Sequence, residues 1–104
     1  MERLDERLIL WMVAEYITAN DFQFYNISGL QGTFAEDSAE ELTQTVTSLI
    51  KTGFLLGIDM NGQLSNISVE VDHILELDDA ALAKPGFILA KKLLQDFPPH
   101  ASPQ

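Results

Sequence analysis

The sequence predicts an α+β fold in which helices come first and a β-hairpin follows. Three observations carry this. Leu42, Val46, Leu49 and Ile50 form one apolar stripe at helical spacing. The stripe stops at Gly53, where a left-handed C-terminal cap belongs. Residues 54–58 then lead through Asn61-Gly62 to residues 67–71, and Asn-Gly is a strong hairpin signal because a type I′ turn needs two positive φ angles.

The first helix is expected over residues 2–19, which hold good helix formers and neither Gly nor Pro. Within it, residues 8–14 are apolar around the whole circumference. Such a helix is either central to the core or covered by a second copy. Leu4, Leu8, Trp11 and Met12 are therefore candidate residues for a homodimer interface. Asn20-Asp21 ends the pattern.

Residues 22–34 are expected to supply core bulk through Phe22, Phe24, Tyr25, Ile27, Leu30 and Phe34, with a short second helix expected near residues 27–31 and Ser28 as its cap. The third helix is expected over residues 39–52. Ser38 with Glu41 three residues later is a capping-box pattern, and the carboxylates around it suit the positive end of a helix.

After the hairpin, Ile67, Val69 and Val71 alternate with polar residues as a strand does, and residues 74–77 either continue that strand or form a short edge strand. Asp78 or Asp79 caps a turn, and Pro85 suits the first turn of a last helix. Phe87, Ala90, Leu94 and Phe97 give that helix one face to bury. Lys91 and Lys92 are expected in its last turns, where cations complement the dipole. Residues 1–97 read as a single domain and residues 98–104 as a disordered tail.

In order, the elements are three helices, two strands and a helix. Residues 46–55, Val-Thr-Ser-Leu-Ile-Lys-Thr-Gly-Phe-Leu, resemble the junction between recognition helix and wing in winged helix-turn-helix proteins. The segment from Ile74 through Phe87 resembles that family's closing strand and helix. The chain is similar to small standalone winged-helix proteins of bacteria and their prophages. The resemblance implies three helices, a two- or three-stranded β wing and a C-terminal helix. It also implies that the third helix would be the DNA-recognition element, presenting Glu40, Thr43, Gln44, Thr47 and Lys51. The wing tip would be Asp59, Asn61, Gly62 and Gln63.

Charge opposes the usual activity of that family. The formal net charge is −10, and residues 15–79 hold twelve acids against one base, Lys51. Arg3, Arg7, Lys84, Lys91 and Lys92 lie toward the two ends. Non-specific DNA affinity comes from Lys and Arg clustered on the docking face. Here the recognition helix would begin among Glu36, Asp37, Glu40 and Glu41, and the wing tip has no base. Nucleic acid is therefore not the expected partner; a homodimer and a basic protein partner are.

Catalysis is not expected. No HExxH motif, phosphate-binding glycine loop or nucleophile elbow occurs. His73 beside Asp72 on a strand would point to the opposite face. Asp59, Asn61 and Gln63 alternate like calcium ligands, but no glutamate follows at the required position. No metal or cofactor is expected. Two glycosylation sequons, at Asn26 and Asn66, have no secretory signal in front of them. The chain has no cysteine and no run long enough to span a membrane, so a cytoplasmic location is expected.

The expectation is thus an acidic winged-helix protein that acts through protein contacts, either as an adaptor or as a prophage-type inhibitor imitating the charge of DNA. The alternative is a DNA-binding regulator, which would require its scattered cations to meet on one basic stripe.

Overall fold

The computed structural model describes residues 3–60 and 63–97, the side chains of 60, 63 and 64 excepted. Asn61, Gly62 and the expected tail lie outside the described residues. Those described form an α+β fold with six helices and one three-stranded antiparallel sheet.

Helix α1 (Leu4–Ala19) passes through the centre. Leu4, Leu8, Ile9, Met12, Val13 and Tyr16 are buried, while Leu10, Trp11 and Ile17 pack against the same core from its margin. Three of the four dimer candidates, Leu4, Leu8 and Met12, are thus core residues of the single chain. The apolar circumference is consumed by α3, α6 and the sheet. Trp11 is half-buried, its ring edge-on to Tyr25 at 4.9 Å and to Phe34 at 6.0 Å.

Phe22 and Phe24, expected in the core, are each 50% exposed, and a two-residue strand, β1 (Tyr25–Asn26), follows them. It is too short to leave a period in the sequence. Its end serves α2 (Ile27–Thr33), where the Asn26 side chain, and not that of Ser28, accepts a hydrogen bond from the Ser28 N–H. Helix α3 (Ala39–Lys51) begins as its sequence implies, with Ser38 Oγ accepting the Glu41 N–H at 3.0 Å. It ends at Gly53, φ +89°, with Phe54 N–H donating to Leu49 C=O and Gly53 N–H to Ile50 C=O. That pair of bonds is a Schellman cap, which turns the chain directly into the sheet.

Strands β2 (Leu55–Met60) and β3 (Gln63–Val69) form the hairpin. The sheet order is β1-β3-β2, with Tyr25 opposite Ile67 and Leu56 opposite Ser68. Leu55, Ile67 and Val69 face the core, leaving Leu56 and Ile58 exposed on the outer face.

Residues 74–77 are not a strand. Helix α4 (Val71–Glu76) takes over immediately after β3, burying Val71 and Ile74. Val71 and Ile74, three apart, fall on one side of a helical turn, whereas in a strand they would point to opposite faces. Consequently Asp72 and His73 are helical, and the His73 ring lies edge-on to Phe54 at 5.3 Å. Asp78 caps the single turn α5 (Asp79–Leu82) through the Ala81 N–H.

Helix α6 (Pro85–Asp96) opens on its proline and lies along α1. Phe87, Ala90 and Leu94 are buried, but Phe97 falls beyond the last turn and is 57% exposed. Lys91 and Lys92 precede that last turn. Lys91 Nζ instead donates to the Leu77 carbonyl at 2.6 Å, tying α6 to the end of α4.

Candidate interaction surface

Because Leu42, Val46 and Leu49 turn into the core, α3 presents a polar outer face. Thr43, Gln44, Thr47, Ser48 and Lys51 line a shallow depression of about 310 Å³ on it. Glu40 is exposed one turn earlier and stands outside that lining. The hydroxyls of Thr43 and Thr47 donate to the carbonyls of Ala39 and Thr43, each at 2.9 Å. Their protons are spent inside the helix, and their oxygens face outward as acceptors.

A larger groove of about 490 Å³ shares Gln44 and Ser48 with this depression. Its walls are the start of α1 (Arg3, Leu4, Asp5, Arg7), the flank of α3 (Glu41, Gln44, Thr45, Ser48) and Lys84, the residue before α6. Three of the chain's six Lys and Arg residues therefore meet here, drawn from both ends of the sequence. They meet beside α3 within one chain.

Most of that positive charge is already matched. Arg7 holds Asp37 through two hydrogen bonds, Nη1 to Oδ2 at 3.0 Å and Nη2 to Oδ1 at 2.9 Å. This fork lowers the Asp37 pKa below its ordinary value and raises that of Arg7, the hydrogen bond being the main cause in both. Lys84 pairs with Asp5, its ammonium 5.4 Å from the Phe87 ring centre. Arg3 and Glu41 are the groove's charged side chains outside these pairs. The groove is thus nearly neutral, and Glu40 and Glu41 stand in the first turn of α3.

On the hairpin, Asp59 is exposed, whereas Asn61, Gly62 and the side chain of Gln63 lie outside the described residues. No family model, curated protein or solved structure matches the chain.

Burial raises the pKa of Tyr16, with Asp72 and Asp21 adding to it. Burial and then Glu15 do the same for Tyr25, whose hydroxyl lies 3.4 Å from Glu15 Oε1. His73 packs against Gly53. Among the described residues no three His, Asp or Glu side chains are grouped to hold a metal, and no helix is long and apolar enough to cross a membrane.

Local pattern identified the exposed face of α3. It missed the groove, because Asp5 and Lys84 lie 79 positions apart and Arg7 and Asp37 lie 30 apart. Only the packing of α1 on α6 and α3 brings them together.

Proposed function

We propose that this chain is an acidic winged-helix domain that works through protein contacts and does not bind duplex DNA. The winged-helix reading is supported by the sequence of elements: helix, short strand, two helices, then a hairpin whose second strand pairs with the short one. The protein-contact reading rests on one observation. The outer face of α3 holds neutral polar residues and Lys51, while its first turn holds Glu40 and Glu41. A recognition helix that enters a major groove leads with its N-terminal residues, and here those are acids.

The surface field of such a molecule draws in basic partners and repels polyanions. In its sharper form the partner is a nucleic-acid-binding protein whose basic site this domain occupies; in its plainer form the domain is an adaptor. A reducing cytoplasm suits a chain without cysteine. Neither form calls for catalysis or a cofactor.

One observation favours the rival reading of a DNA-binding regulator: Arg3, Arg7 and Lys84 converge beside α3. The carboxylate partners of Arg7 and Lys84 weaken it, since a cation already paired gains less from a phosphate. Electrophoretic mobility of a duplex at low salt, where phosphate contacts count most, separates the two. The expected outcome is no shift at any protein concentration. A salt-sensitive shift abolished by Arg3→Ala would establish the regulator instead. Binding to a basic nucleic-acid enzyme that weakens steeply with salt would support the inhibitor form.

A further inference from the structure

Strand β2 is an edge. Its one neighbour is β3, and nothing among the described residues pairs with its other side. The Phe54 carbonyl accepts the Glu70 N–H at 2.9 Å. Backbone groups alternate in an antiparallel ladder, so Leu56 and Ile58 direct theirs to β3. Leu55, Gly57 and Asp59 direct theirs to the free side.

The edge is lightly protected, with Asp59 near its end as its one charge. Proteins blunt free edges with Lys, Pro or a bulge, yet residues 55–59 read Leu-Leu-Gly-Ile-Asp. The ladder irregularity between Ile58 and Asp59 adds its extra residue, Ser65, to β3, so β2 itself stays regular. Leu56 and Ile58 are 48% and 39% exposed on the outer face of the sheet.

We propose that β2 pairs antiparallel with β2 of a second copy, centred on Gly57, giving a twofold dimer with one continuous sheet. The centring follows from the free groups. Gly57 opposite Gly57 forms a hydrogen-bonded pair through N–H and C=O groups that both point outward. Leu56 of each chain then faces Ile58 of the other at the non-hydrogen-bonded positions, where side chains approach most closely.

Charge selects the same arrangement. Asp59, the only charged residue of β2, falls opposite Leu55 and is displaced from its own counterpart. A chain of net charge −10 can thus meet a copy of itself along this edge without opposing acids directly. A basic strand would find no carboxylate row here and would leave Leu56 and Ile58 uncovered. Twofold pairing also closes the assembly, since each copy uses its free β2 edge once. This dimer is independent of the function proposed above.

The absence of native cysteine makes the register measurable. Sedimentation should give the wild-type chain twice the monomer mass. Leu56→Lys, a substitution at an exposed position, should return it to monomer with an unchanged far-ultraviolet spectrum. Mixing Leu56→Cys with Ile58→Cys chains under mild oxidation should yield a disulfide-linked heterodimer. Either variant alone should stay unlinked, because identical positions are offset by two residues and lie beyond bridging distance. A monomeric wild-type chain overturns the proposal. So does cross-linking of Leu56→Cys with itself as readily as in the mixture.

Discussion

An alanine methyl at Gly86 would sit 2.5 Å from Cβ of Glu6 and 2.8 Å from its Oε2. Cβ is fixed to the α1 backbone, so no side-chain rotation relieves that clash, and the two helices must separate. The same Oε2 accepts the Gly86 N–H at 2.7 Å inside the core, satisfying one of the free donors that open α6. Gly86→Ala should therefore destabilise the protein by about 1–3 kcal/mol, the usual range for overpacking, read as a lower midpoint in urea. Gly53 is constrained twice, by φ +89° and by His73 Nε2, which would lie 2.9 Å from an added Cβ. The first constraint was legible in the sequence as a helix stop before a hairpin. The second was not, because it depends on α4 being a helix. Ser68 is the converse case: its hydroxyl is buried without a hydrogen-bond partner among the described residues. Ser68→Ala should be neutral or stabilising by up to about 1 kcal/mol, since it removes an unmet desolvation cost; a clear loss in thermal denaturation would show that the hydroxyl has a use.

Among the elements, α3 was the most readable and α4 the least. Leu42, Val46 and Leu49 repeat at helical spacing, and Ser38 and Gly53 mark the two ends, so pattern and capping agree. Val71, by contrast, extends the Ile67 and Val69 alternation across a boundary that only the end of sheet pairing sets, while Ile74 breaks that alternation and keeps helical spacing from Val71. Ser38→Ala should cost about 1 kcal/mol through the lost cap, measurable as a shift in unfolding midpoint. The start of α3 is also held to α1 by the Arg7–Asp37 fork, whose contribution depends on pH. The folded Asp37 pKa lies below the ordinary 3.8. The stabilisation is thus complete above that ordinary value and disappears as pH falls through the lower, folded one. Asp37→Asn should accordingly melt below the parent protein near neutral pH, with the gap closing in acid. A gap that persists in acid would mean that the bonds act without the charge.

For the whole molecule, the acidic balance could be counted from composition, but the meeting of Arg3, Arg7 and Lys84 could not. Sequence proximity places those residues at opposite ends; burial of α1 against α6 makes them neighbours. The same burial decides what the apolar first helix does. Leu8 is wholly inside the chain, so Leu8→Ala should lower stability by about 2–5 kcal/mol, as cavity-forming core truncations do. Under native conditions it should leave the sedimenting mass as it was. A change of mass without loss of stability would return the first helix to the surface.

The bond from Glu6 to Gly86 closes 80 positions of chain. During translation α1 is therefore made first and must wait for its companion, with most of its apolar circumference wet until α6 clears the ribosome. No early half of this protein has a finished interior. Its folding on the ribosome should be one late step, registering as a single force peak in an arrest-peptide profile only once α6 has left the exit tunnel.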